Sequence, residues 1–85
     1  MSIRIVTVGS TVGLHARPAA LIAERAGELG SEVLVGLPGQ EPVDASSALL
    51  IMTLGASHGA QVEVSGEDIT AVEAIAALIA RNLDA

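Results

Sequence analysis

Residues 61–68 read Gln61-Val62-Glu63-Val64-Ser65-Gly66-Glu67-Asp68, and they decide the fold. Polar and apolar side chains alternate through Gln61-Val62-Glu63-Val64, the period of an extended strand with one wet face and one dry face. Gly66-Glu67-Asp68 leads into a segment of different period. There Val72, Ile75, Ala76, Ile79 and Leu83 recur at helical spacing with Leu78 beside them, and Glu73 and Arg81 fall off that stripe. Each element has only one apolar side. The economical arrangement is a single sheet with helices on its dry face and water on the other, which suits Gln61 and Glu63.

The rest of the chain supplies the partners. Residues 3–8 are short and β-branched, bounded by Gly9-Ser10, and read as a first strand. Residues 11–14 form a loop in which Gly13 is free to take an unusual backbone angle. A helix is expected over residues 16–29. Ala20, Ala23 and Ala26 or Gly27 give it a small-residue face, Leu21 and Ile22 add bulk to the buried side, and Glu24, Arg25 and Glu28 point to water. Gly30 is its stop signal. Val33, Val35 and Leu37 alternate over a second strand, 32–37. Pro38-Gly39 suits the central pair of a type II turn, from which a short third strand, 40–43, folds back. Asp44-Ala45-Ser46-Ser47 offers several N-cap candidates for a short helix from Ala48 to about Met52, and residues 55–59 form a loop. The order is β-α-β-β-α-β-α. The fold class is therefore α+β, a four-stranded antiparallel sheet with three helices on one face, strand four slotted between strands one and two.

Composition narrows the function. Eighty-five residues make one domain, expected to span 1–85. With no Cys and no Phe, Tyr or Trp, the core must be built from Ala, Val, Leu and Ile, and a deep small-molecule pocket is not expected. The formal charge of −6, from 10 acids against 4 Arg and no Lys, argues against nucleic acid and against anionic membrane surfaces. No signal segment or membrane-length apolar run is found, so a cytoplasmic location is expected. Two histidines without Cys or clustered acids do not make a metal site, and neither a metal nor any other cofactor is expected. His58 reads as a solvated loop residue; Glu67, Asp68 and Asp84 read as solvated or helix-terminal charges.

The chemistry gathers in Gly13-Leu14-His15-Ala16-Arg17-Pro18-Ala19. A lone loop histidine is usually only solvated, but His15 stands at the mouth of a helix. The first amides there lack partners, and the peptide dipoles sum to roughly half a positive charge. An anion placed at such a spot needs little else to hold it. Arg17 adds a permanent cation that can fork onto phosphate oxygens, and Pro18 suits a first turn where its missing N–H costs nothing. The whole is an anion cradle with a nucleophilic ring nitrogen beside it. Imidazole, with an ordinary pKa of about 6.5, offers a free lone pair near neutrality. Phosphoryl transfer asks a protein mainly for alignment and charge, so no second catalytic group is required.

These residues resemble the active-site signature of the HPr family, the histidine-containing phosphocarriers of the bacterial phosphoenolpyruvate:sugar phosphotransferase system. The resemblance covers essentially the whole chain. It extends to Ser47-Ala48-Leu49-Leu50-Ile51-Met52-Thr53-Leu54-Gly55, which is similar to the family's regulatory-serine helix. It implies an open-faced β-sandwich fold and a phosphocarrier without turnover of its own. It also implies phosphorylation of His15 on Nδ1 by phosphorylated enzyme I and onward transfer to a sugar-specific component IIA. Arg17 would position the phosphoryl group, with the Ala16 and Arg17 amides as backbone donors and Gly13 and Pro18 shaping the helix entry.

Ser47 has two readings. It is a helix N-cap or first-turn residue, or, as the resemblance implies, the target of a serine kinase whose phosphate would repel partners. Leu50, Ile51 and Leu54 are read as core cover. Ala48, Leu49 and Met52 are read as an apolar patch beside His15, with Leu49 and Met52 as the partner contacts. The chain departs from better-known family members in having no lysine near the site and in placing Val12 where a polar residue is common. Apolar contact should then outweigh electrostatic steering. Two alternatives stand beside the sugar pathway: the same chemistry in a nitrogen-regulatory or dihydroxyacetone branch, and a non-phosphorylated binding module in which His15 is incidental. A carrier that meets two partners through one face is expected to be a monomer.

Overall fold

The computed structural model describes residues 1–83; Asp84, expected as a solvated or helix-terminal charge, lies outside them. The elements run β1 (Ser2–Thr7), α1 (Ala16–Leu29), β2 (Val33–Gly36), β3 (Val43–Asp44), α2 (Ala48–Thr53), β4 (Gln61–Gly66) and α3 (Ile69–Ala80). The sheet is antiparallel throughout in the order β1-β4-β2-β3, so β4 is indeed inserted between β1 and β2.

Register decides which side chains meet the helices. Val64 lies opposite Arg4 on one side and Val35 on the other, and Val62 lies opposite Val6. Val33, Val35, Val62 and Val64 therefore share one face, and all four are buried. Ile22, Ile51, Ile75 and Ile79 from the three helices close over that face. Fully burying side chains of this size contributes roughly 1.5–3 kcal/mol each, which is how a core without aromatic rings holds together. The opposite face carries Gln61, Glu63 and Ser65 of β4 and meets water.

The sides of β1, which the strand reading left open, are settled, and several expectations for other elements are corrected. Ile3 and Ile5, apolar and β-branched, sit on the wet face at 58% exposure each. Arg4 between them points to the helix side, where its guanidinium donates to a Glu73 carboxylate oxygen at 2.8 Å. Strand alternation forces this outcome: once Val6 faces inward, Arg4 must too. In α1 the buried residues are Pro18, Ala19, Ile22 and Ala26, while Ala20 and Leu21 are exposed. The helical period rotates those two away from the face that 18, 22 and 26 define. The third strand is Val43–Asp44 rather than 40–43, because Pro42 has no N–H to give a ladder. The turn before it is as expected: Gly39 has φ 79°, and the Gln40 N–H donates to the Leu37 carbonyl at 3.0 Å. Leu83 lies beyond the end of α3, though it remains partly buried against the core.

Candidate functional site

The turn that carries His15 is assembled from three sides. After β1, the Gly9 N–H donates to the Ile79 carbonyl at 3.0 Å, which fastens the chain to the end of α3. The Gly13 N–H closes back onto the Ser10 carbonyl, also at 3.0 Å. Gly13 has φ 75°, and a Cβ there would lie 2.5 Å from the Ala56 carbonyl oxygen, so only glycine fits. Leu14 donates its N–H to that same carbonyl at 2.9 Å and buries its side chain at 3% exposure. With Leu14 plugged inward, the next residue turns outward. That residue is His15.

His15 is the N-cap residue of α1, in extended backbone conformation (φ −85°, ψ −165°), and its side chain caps nothing. Its carbonyl accepts the Ala19 N–H at 2.8 Å, which starts the helix, while its ring is exposed. The amides of Ala16 and Arg17 find no acceptor among the described residues. Pro18, buried, contributes no third amide and fixes the entry angle. The first turn of α1 contains no acidic side chain. Arg17 is exposed and forms no ion pair among the described residues, whereas Arg4 and Arg25 are each committed to a glutamate. An exposed imidazole at the N-cap is therefore followed directly by two open amides, at the positive end of a fourteen-residue helix, and by the unpaired guanidinium of Arg17 two residues on. Such a place attracts and orients an anion, and the ring beside it is a nucleophile.

The remaining candidates lie on α2, in the 55–59 loop and at the start of α3. α2 packs beside α1. Ser47 is the N-cap of α2, its hydroxyl accepting the Leu50 N–H at 3.2 Å. Ser46 is engaged differently, its N–H and hydroxyl both donating to Asp44 Oδ1 at 2.9 and 2.7 Å. These two bonds, the backbone one first, hold the Asp44 carboxyl below its ordinary pKa of 3.8. Ala48 is half-buried; Leu49 and Met52 are exposed at 69% and 36%. Ile51 is buried and Leu54 half-buried as expected, but Leu50 is 40% exposed and belongs to the surface. His58 is exposed in its loop. Asp68 does more than sit near a helix start: it caps α3, accepting from the Thr70 and Ala71 amides. Glu67 faces the N-terminal ammonium of Met1 at 3.4 Å.

Among the described residues no three His, Cys, Asp or Glu side chains gather as a metal site, and no helix is long and apolar enough to cross a membrane. Two shallow recesses, one beside Met1 and Leu34 and one beside Ile5 and Ala76, include neither His15 nor Arg17. Two supports of the turn escaped the sequence reading. The Ala56 carbonyl is a backbone group that no motif marks, and Ser10 reads only as loop punctuation after Gly9.

The chain as a whole has counterparts among known proteins. The model of the phosphotransferase-system HPr component phosphorylation site matches residues 3–81. Phosphocarrier protein HPr of Streptomyces coelicolor is 34% identical over 87 aligned positions, covering 99% of this chain and 94% of that protein. Phosphocarrier protein HPr of Pseudomonas putida is 34% identical, with 99% and 97% covered. The crystal structure of HPr-C-His from Thermoanaerobacter tengcongensis superposes with a TM-score of 0.83 at 35% identity, covering 93% of this chain and 91% of that one. Motif, fold and whole-length similarity agree: the chain belongs to the HPr family, the phosphocarrier proteins of the phosphotransferase system, which carry a phosphoryl group without completing a turnover of their own.

Proposed function

We propose that residues 1–85 form one phosphocarrier domain that accepts a phosphoryl group on Nδ1 of His15 from phosphorylated enzyme I and delivers it to a sugar-specific component IIA, in the cytoplasm. The observation that carries this reading is the open start of α1, where an exposed ring stands beside two unengaged amides and the free Arg17 guanidinium. In the first transfer the Nδ1 lone pair forms a bond to phosphorus as the donor's bond to phosphorus breaks. No proton has to leave the attacking atom, which explains why the site holds no general base. The Ala16 and Arg17 amides and the guanidinium receive the charge spread over the phosphoryl oxygens. The second transfer is the same displacement in reverse, with the nitrogen as leaving group.

Leu49 and Met52, exposed on the helix packed beside α1, supply the apolar contact that both partners share. A flexible thioether adapts to more than one surface, which a carrier between two proteins requires.

The test is direct. The protein is incubated with phosphoenolpyruvate, Mg²⁺ and a cognate enzyme I, then weighed by mass spectrometry. One added phosphoryl group is expected, labile in acid and absent from His15→Ala. An acid-stable product on serine, or no product, overturns the assignment.

A further inference from the structure

Ser10 is the one polar side chain found buried among the described residues, at 0% exposure. A hydroxyl taken out of water is costly unless its hydrogen bonds are replaced, so its partners report what it is for. Both lie in the same short segment after α3. The hydroxyl faces the Arg81 carbonyl at 3.4 Å as donor and accepts the Leu83 N–H at 3.2 Å. The same residue's carbonyl accepts the Gly13 N–H that closes the turn before His15. One residue thus joins the far end of the chain to the turn that aims the ring.

Its neighbours make the joint stiff. Gly9 donates to the Ile79 carbonyl and is pressed so close that a Cβ would lie 2.1 Å from the Ala80 oxygen. The helix gives way here: Arg81 is already extended, at φ −84° and ψ 154°, because the last-turn carbonyls and the following amide are taken by Gly9 and Ser10 instead of by further helix. Loosening the hydroxyl's bonds would release the Arg81 carbonyl and the Leu83 N–H from Ser10, whose own carbonyl closes the turn on Gly13 just before Leu14 and His15.

We propose that Ser10 is a positioning residue for His15, through which the segment following α3 holds the phosphoryl-acceptor turn in its aim. The consequence for transfer rests on the carrier reading above; the consequence for the ring's environment does not. Misplacing a reacting group by a fraction of an ångström is enough to slow a transfer about ten-fold without removing any group that touches phosphorus.

Two variants break the joint from opposite ends. Ser10→Ala removes the hydroxyl, and Leu83→Pro removes the amide it accepts from while leaving the turn's own sequence intact. Ile75→Val, a core truncation, controls for lost stability alone. Initial rates of phosphoryl uptake from enzyme I are measured well below each variant's unfolding temperature, together with the His15 ring signals by NMR. Both joint variants should lower the maximal rate about ten-fold, with little change in the half-saturating enzyme I concentration, and should shift or broaden the ring signals. The control should do neither. If Ser10→Ala does not fold, Leu83→Pro decides the matter. Wild-type rates and unmoved ring signals in a folded joint variant overturn the proposal. If the wild-type protein takes up no phosphoryl group, the carrier reading falls, and the ring signals alone still decide the role of Ser10.

Discussion

The starts of α1 and α3 pose the same physical problem and solve it in opposite ways. At α3 the Asp68 carboxylate accepts the Thr70 N–H at 2.9 Å and the Ala71 N–H at 3.4 Å, and its other oxygen takes the Ser31 hydroxyl at 3.2 Å. Negative charge sits against the positive end of the helix, and nothing is left for a ligand. At α1 the N-cap residue is a histidine that caps nothing, and the first turn holds no acid but does hold the cation Arg17. The difference is one of purpose. Capping α1 internally would have added stability; in the proposed carrier function that stabilisation comes from the transferred phosphoryl group.

Arg17→Ala gives the comparison its largest expected effect. The guanidinium is exposed and unpaired, so the unfolding temperature should stay within about 2–4 °C, as for most surface substitutions in a domain of this size. Phosphoryl uptake should fall roughly 100-fold, the order of loss seen when one preorganised group at a developing charge is removed. Rapid-quench kinetics and a thermal melt of the same preparation measure both. A large drop in stability would make Arg17 a structural residue, and the two helix starts would no longer differ in the way described.

Asp68→Ala should do the converse. Losing the cap costs about 1 kcal/mol, within a usual range of ~0.5–2. In a domain of this size that lowers the unfolding temperature by about 4–8 °C. Uptake on His15, measured well below that temperature, should match the unmodified protein. If transfer slowed along with stability, the two ends would be mechanically coupled and the division between a closed and an open helix start would fail.

What the sequence revealed of this design follows from how far apart the cooperating residues lie. The open helix start was legible because its signals are local: His15, Arg17 and Pro18 fall within four residues, and Gly13 announces a bend just before them. The sheet order was legible because each strand had one dry face and the order β-α-β-β-α-β-α fits a split β-α-β arrangement with strand four between strands one and two. Other features depend on distant chain and leave no local mark. Arg4, set on the helix side by strand alternation, finds its partner Glu73 sixty-nine residues away, and Ser10 meets residues seventy-one and seventy-three positions downstream. Ile3 and Ile5 have the composition of a buried strand, yet β1 is an edge strand whose register turns both to water. Leu21 and Leu50 misled for a related reason: apolar identity does not say which side of a helix a residue occupies, and the buried residues are Pro18, Ala19, Ile22 and Ala26 in α1 and Ile51 in α2.

The smallest effect concerns the start of α2, which lies between the two extremes. There the Ser47 hydroxyl caps the helix with a single bond, and Asp44 stands just ahead of it, holding the Ser46 N–H and hydroxyl and, through its carbonyl, the Ser47 N–H. Because the bonds from Ser46 favour the ionised carboxylate, its pKa in the folded protein lies below the ordinary 3.8. A depressed folded value means that the stabilisation is fully present above the ordinary pKa and is lost as pH falls through the folded one. Asp44 is exposed, so solvent screens most of the gain and the effect on stability is small. Thermal melts from about pH 6 down to about pH 2 should show Asp44→Asn converging on the parent protein at the acid end and falling slightly below it above about pH 4. Phosphoryl uptake at neutral pH should be unchanged, since Asp44 faces α2 and not the mouth of α1. A gap that widened as the solution became more acid would reverse the sign of the linkage, and the Asp44–Ser46 turn could not then be what steadies the approach to α2.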